Sequence, residues 1–475
     1  VRTTSFLRFV RALAFSSLLV ATLAHGFAAV ARAQEAVPAA MVTEAAPVPL
    51  GDPAGLLLKQ KQIERHGITW KFDRAATVGA FANGDPWVIG PVRIVGITPE
   101  CIEKDGRVMH GSMIDPDPSQ MLQGYDSCLF DDEKRERYDH ERNVAFGVSP
   151  KKPLLLTPGQ SLVSVVSREG KKQLPTLQTA AVLTCLGSTP APDAFRPPYV
   201  RGDKTVRHRA ADLDYTFLQR VRPVGDAPSI ESAEKSFERL WLDHFPEWPV
   251  RWAQPADNMP CYGREIAATV ATAVLHLNLD HPNAKKKDLY VRLVQVGIDL
   301  HGALRSGCRW KGLGGHASGR KLPILFAGKA LGEPKMLGIG VEFVTKKRDQ
   351  GFSTFFGEDT QTFYVEQTKP GVWNDGYGGY TKEHEGLPEF GFSHFDDPKQ
   401  DNSKWDADPY RRCCTANAWV GNVLAARMMG LQKEWNHPAW FDYVDRYMKV
   451  EQAEAWHRAW IPWHAQMWDR YREQF

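Results

Sequence analysis

The sequence predicts an α+β protein, with a β-rich, sandwich-like N-terminal domain followed by an incomplete α/α toroid of helical hairpins. Three observations carry this. Between Gly67 and Pro192, short apolar runs alternate or cluster between Gly, Pro, Asn and Asp punctuation. Beyond Phe195-Arg196-Pro197-Pro198-Tyr199, where consecutive prolines force an extended path, the period becomes helical. A chain of 475 residues with 43% hydrophobic content can also bury a large core across two domains.

Residues 1–33 are set aside from that core. Arg2, Arg8 and Arg11 precede the apolar run Ala12 to Ala24, and Ala31-Arg32-Ala33 is an A-x-A site before Gln34. That pattern is a secretory signal peptide, which places the mature protein in the periplasm or outside the cell, free of the membrane after cleavage. Removing the segment takes four of the 59 basic residues and none of the 56 acidic ones, so a formal +3 becomes about −1. Affinity for an anion must then come from local groups of Arg, Lys and His, and a nucleic-acid partner is not indicated. Seven cysteines in an exported chain permit disulfides, with Cys101–Cys128 the first pair expected; adjacent Cys413 and Cys414 read as two small buried residues at a helix start.

Residues 34–66 read as an Ala/Pro/Val spacer and a short amphipathic helix over Leu56 to His66. The β-rich domain, 67–198, contains strands at Ile68 to Phe72, Trp87 to Ile89, Val92 to Ile97, Ser161 to Ser167 and within Leu174 to Leu186. The turn at Asn83-Gly84-Asp85-Pro86 before Trp87 is either a substrate loop or a turn beside a core tryptophan. The catalytic domain, 199–475, carries helical spacing at Ser229 to Phe245, Tyr262 to Asn278, Lys287 to Leu304, Lys321 to Leu331, Thr415 to Gly430 and Pro438 to Met448. Glu451 to Gln474 adds a helix broken at Pro462. Joined by Gly/Pro/Asn loops, these pieces suit hairpins whose loops surround a groove.

The candidate site lies between Gly312 and Arg412, where Tyr, His, Arg and carboxylates crowd between glycines. His316 sits among glycines that let backbone pass close to a ligand. Arg320 and Lys321 follow at a helix N-terminus, where positive side chains oppose the helix dipole and call for a compensating anion, such as a bound carboxylate. Tyr364, Tyr377 and Tyr380 are candidate proton-transfer groups, with His384 four residues beyond Tyr380. Trp373 opens the Gly-rich run and joins Glu389, Arg411, Arg412, Asn258 and Arg264 as substrate-binding candidates. Glu358, Asp359, Glu385 and Glu389 offer a second chemistry, hydrolysis by paired carboxylates. His384, Glu389 and His394 fit no metal-ligand spacing, and neither a metal nor a cofactor is expected. No P-loop, dinucleotide fingerprint, GxSxG elbow or HExxH stands in its required context.

The segments GGHASGRKLPILFAG, GLPEFGFSH and YRRCCTANAW, with WFDYVDRYM downstream, resemble bacterial exported polysaccharide lyases of the α/α-toroid type, specifically polysaccharide lyase family thirty-eight, the glucuronan and alginate lyases. The resemblance implies β-elimination on an acidic polysaccharide without a redox cofactor. Such chemistry needs a base for the C5 proton, donors that neutralise the uronate carboxylate, and an acid for the leaving oxygen. On this reading Tyr380 is base and acid, with Tyr377 or Tyr364 in its place. His316 is neutraliser or alternative base, Arg320 and Arg412 are carboxylate clamps, and Asn258 and Arg264 form the opposite wall. A glycoside hydrolase and a non-catalytic carbohydrate-binding protein are the alternatives.

Overall fold

The computed structural model describes residues 58–129, 137–170, 173–245, 250–312, 314–344, 346–348, 351–353, 355–391 and 409–475. The expected signal peptide and most of the spacer lie outside the described residues. The chain is α+β, with a curled eight-stranded sheet followed by a helical region.

The strands are β1 (Leu58–Arg65), β2 (Ile68–Ala80), β3 (Pro86–Ile89), β4 (Val92–Thr98), β5 (Ser112–Ile114), β6 (Leu154–Leu156), β7 (Gln160–Ser167) and β8 (Leu177–Leu186). They run in the order β6-β4-β2-β3-β8-β7-β5, and β1 pairs with β2. Only β8 and β3 are parallel, with Thr184 opposite Trp87 and Cys185 opposite Val88. The long β2 gives one edge to β1 and divides the other between β4 and β3, consistent with a sheet curled into a half-barrel. The short helix expected over Leu56 to His66 is instead β1. In LKQKQIER the exposed polar residues outnumber any apolar stripe, and a ready edge on β2 satisfies the backbone groups.

One curled sheet stands where alternation predicts a sandwich, because its second layer is helical. Along β7 and β8 successive side chains part to opposite faces. Leu162, Ala181, Leu183 and Cys185 join Trp70, Phe72, Val88 and Ile94 in a core on one face. Val163, Val165, Ala180 and Val182 face the other way, into a core shared with the helices. The sheet there is buried on both faces, which explains the nearly continuous burial along β7. At the seam the fully buried Arg196 binds Asp85 through Nε at 2.8 Å and Asp299 through two nitrogens at 2.9 and 2.6 Å. The turn before Trp87 is thereby a structural clasp, and Trp87 is buried.

The helical region holds α1 (Ile230–Lys235), α2 (Gly263–Leu277), α3 (Asn283–Arg305), α4 (Lys321–Leu331), α5 (Gly357–Gln361), α6 (Pro409–Cys413), α7 (Ala416–Met428), α8 (Pro438–Val450) and α9 (Pro462–Tyr471), with short turns between. Helix α4 packs on α3, and α7 packs on α2, α8 and α9. Helix α7 is buried nearly all round, as a central helix must be. Pro462 starts α9 instead of kinking a longer helix, since a proline N–H is not missed in a first turn. Among the described residues no helix is long and apolar enough to cross a membrane.

Candidate functional site

The residues expected to act together divide into three groups. Arg320 and Lys321 begin α4, as expected, but the anions that offset them belong to the chain. Arg320 donates to Asp243 from Nε at 2.8 Å and from Nη2 at 3.2 Å, and both side chains are fully buried. Lys321 Nζ lies 2.5 Å from Asp359 and donates to the Trp435 carbonyl at 2.6 Å. Beside them the Glu358 carboxyl accepts from the Gly319 N–H at 2.5 Å, and burial pushes its pKa up to about 7. These groups form a buried ionic floor beneath the His316 loop.

A second group gathers on the hairpin of β9 (Thr362–Tyr364) and β10 (Pro388–Phe390), which packs against α8. Tyr380 is buried edge-on to Phe363 and to His384, at 6.0 and 5.6 Å between centroids. Burial, then the nearby Glu389, holds its hydroxyl well above the usual phenol range. Glu389 is itself buried between Arg411 at 3.7 Å and Arg446 at 3.8 Å. His384 Nδ1 caps its own turn at the Thr381 hydroxyl, 3.0 Å away. Tyr364 donates to Asp442 at the surface, and Trp373 Nε1 donates to Glu385 at 3.3 Å. Tyr377 belongs to a turn over Asn374–Gly379, and its side chain lies outside the described residues, as does all of His394.

The third group is half-buried. Residues 261–264 lead into α2, whose first residue, Gly263, lies against the Gly315-His316 backbone. A Cβ on Gly263 would fall 2.0 Å from the Gly315 carbonyl oxygen. One on Gly315 would fall 2.2 Å from the Cys414 oxygen and 3.0 Å from Tyr262 Oη. Two glycines thus allow three backbone segments to converge at one point. There Tyr262 meets the His316 ring edge-on, with centroids 4.8 Å apart. Arg264 lies 5.6 Å from the centre of the Tyr262 ring and 3.5 Å from that of Trp460, and donates from Nη1 to the Cys413 carbonyl at 2.7 Å. Burial, and then the charge of Arg251, lowers the His316 pKa to about 3, so the imidazole is neutral at physiological pH. Arg412, next in the chain to Cys413, binds Glu451 at 2.8 Å, which also holds His457 at 2.7 Å.

Of the sequence-predicted residues, His316 and Arg264 therefore meet around Tyr262, while Arg412 is held by Glu451. Tyr380, His384, Glu389 and Arg411 meet around the hairpin, and Asn258 is buried on the Arg239 carbonyl at 3.1 Å. Tyr262, Arg251 and Trp460 were not among the candidates. The signal for Tyr262 was its place before a glycine at a predicted helix start; nothing in the sequence links Trp460 to it. The cysteines also differ from expectation. Cys101 and Cys128 are free thiols, and Cys413 is bonded to Cys414. Cys101 is buried, and its sulfur accepts from Asn143 Nδ2 at 3.2 Å.

A cleft of about 480 Å³ opens elsewhere, beside the C-terminal end of α3. Its rim includes Arg201, Arg207, His208 and Arg305, which are matched by Asp117, Asp203, Glu333 and Glu342, and none of the predicted site residues lines it. Among the described residues no cluster of three or more His, Cys, Asp or Glu could hold a metal ion. No known protein family, characterised protein or solved structure matches the chain.

Proposed function

We propose that this protein is an exported polysaccharide lyase that cleaves a uronic-acid polysaccharide, of the glucuronan or alginate type, by β-elimination. The observation that carries the reading is the half-buried meeting of a phenol, a neutral imidazole and guanidinium groups at Tyr262, His316, Arg264 and Arg251. In this reading the helical hairpins are an incomplete α/α toroid, and this group sits in its groove.

The chemistry follows from the residue types. Arg264 exchanges its Glu265 partner for the uronate carboxylate and neutralises it, which makes the neighbouring C5 hydrogen acidic enough to remove. Tyr262 as phenolate takes that proton. The C5–H electron pair becomes the C4–C5 double bond while the C4–O bond breaks. The resulting phenol returns its proton to the departing oxygen, so one group serves as base and acid. Neutral His316 donates a hydrogen bond to the carboxylate, or replaces Tyr262 as base for a sugar presenting the opposite face. Trp460, with 36% of its surface exposed, and Trp456, with 66%, supply aromatic faces for sugar rings. The hydrolase alternative is less well supported, since Glu358, Asp359 and Glu389 are all buried within internal contacts.

The test is incubation with glucuronan, alginate and a neutral glucan, following absorbance near ~235 nm for the unsaturated product together with new reducing ends. A lyase gives both signals on a polyuronate. Reducing ends without the chromophore would mean hydrolysis, and binding with neither signal would mean a carbohydrate-binding protein. Tyr262→Phe should lower kcat by about a hundredfold or more, the range of lost acid–base catalysis, with KM little changed. Near-normal turnover would remove Tyr262 from the mechanism.

A further inference from the structure

The bond between Cys413 and Cys414 lies where α6 hands over to α7, and both of its residues touch the Tyr262 group through their backbones. The Cys413 carbonyl accepts from Arg264 Nη1 at 2.7 Å. The Cys414 carbonyl fills the space above Gly315, so closely that only a glycine fits beneath it. The same Arg264 guanidinium covers Trp460 at 3.5 Å and is held from its other side by Glu265, with Nε 2.9 Å from Oε1. Joining adjacent cysteines closes a small ring through their shared peptide, which restricts the direction of the Cys413 carbonyl and the backbone as far as the Cys414 Cα. The other five cysteines are free.

We propose that the Cys413–Cys414 disulfide is a positioning device for this site, which sets the Cys413 carbonyl that holds Arg264 and anchors the Cys414 backbone above Gly315, beside Tyr262. Reduction by a dithiol then loosens the Arg264 arm and lowers turnover. In that step the S–S bond breaks, each sulfur gains one electron and one proton, and the dithiol leaves as its own disulfide. An exported protein meets an oxidising environment, so the bonded form is the working one. The inference rests on the proposed function for its activity readout and for the exported, oxidising location.

The first measurement is a thiol titration of the denatured, unreduced protein. Five reactive thiols out of seven cysteines are expected, with the missing pair mapped to the Cys413–Cys414 peptide; seven would overturn the proposal. Next, kcat and KM on the cleaved polyuronate are compared before and after treatment of the folded protein with dithiothreitol, and in a Cys413→Ser, Cys414→Ser double variant. A fall in kcat/KM of about tenfold is expected from the displaced guanidinium. Arg264→Ala should then cost clearly less in the reduced protein than in the oxidised one, a non-additivity that a merely structural bond would not produce. Unchanged kinetics on reduction, or equal Arg264→Ala losses in both states, would overturn the assignment. If no polyuronate is cleaved at all, the lyase reading fails by itself. The positioning claim is then read from tryptophan emission: reduction should change it in the native sequence and not in Trp460→Phe, and no difference between them overturns it.

Discussion

Three arginines show how one residue type serves different ends. Arg320 and Arg196 are wholly buried, and each meets carboxylates at hydrogen-bond distance. Arg264 is half-buried, stacks on aromatic rings, and donates from Nε and Nη2 to its neighbour Glu265 and from Nη1 to the Cys413 carbonyl. Removing one partner of a buried pair strands the other, at a cost of about 3–5 kcal/mol. Asp243→Ala should accordingly lower unfolding free energy by about that amount in urea melts. Arg264→Ala, at a pair that still reaches solvent, should cost clearly less stability than Asp243→Ala, about 1 kcal/mol, while depressing activity. A loss below about 1 kcal/mol for Asp243→Ala would sink the ionic-floor account. The sequence singled out Arg320 as a carboxylate clamp and placed Arg264 on the opposite wall of the site. It marked Arg320 as needing an anion, and only the fold shows that Asp243, 77 residues away, supplies it.

At the scale of elements, helix positions were legible wherever burial is one-sided and long. The expected Tyr262 to Asn278 and Lys321 to Leu331 correspond to Gly263–Leu277 and Lys321–Leu331. Ser229 to Phe245 fares differently: regular helix ends at Lys235, and Leu240, Trp241, Leu242 and Phe245 reach the core from irregular backbone. Consecutive apolar residues there can all be buried only by a path without a single face. The decisive local feature is the contact of α2 with the Gly315 loop, which no periodicity announces. Gly315→Ala pushes a methyl into the Cys414 carbonyl and toward Tyr262 Oη. Backbone there cannot yield as a flexible side chain would, so the variant should lose about 1–3 kcal/mol of stability. It should also lose more activity than Gly332→Ala, a glycine with open space around it although its φ of 62° carries its own strain. Equal activity in the two variants would show that the convergence of segments is not what shapes the site.

For the whole molecule, burial acts on histidine. His244 is enclosed by Tyr125, Tyr199 and Phe245, and burial lowers its pKa to about 3 from an ordinary 6.5. His464, also fully buried, is lowered to about 3 as well. Between pH 3 and 6.5 such a group binds a proton in the unfolded chain and not in the folded one. Stability from this source is therefore complete above the ordinary value and is lost as pH falls below it. Each such histidine contributes a slope of about 1.4 kcal/mol per pH unit within that window. Urea melts at pH 5 and 6 should show stability falling with acidification, and His244→Phe should remove about one histidine's share of the slope. An unchanged slope in the variant would mean that His244 is protonated in the folded protein.

What the amino-acid order determined by itself is the α+β class, the place of the strands after Gly67, most of the long helices and the crowding of His, Tyr, Arg and acids beyond Gly312. Those features arise from side-chain period, turn chemistry and composition, which are local. The tertiary structure decided which of those polar groups face one another: Tyr262 and not Tyr364 beside His316, Asp243 under Arg320, and Cys414 above Gly315. It also decided that one curled sheet has helices as its second layer. Contacts between residues far apart in the chain depend on how whole elements pack, and no window of sequence contains both partners.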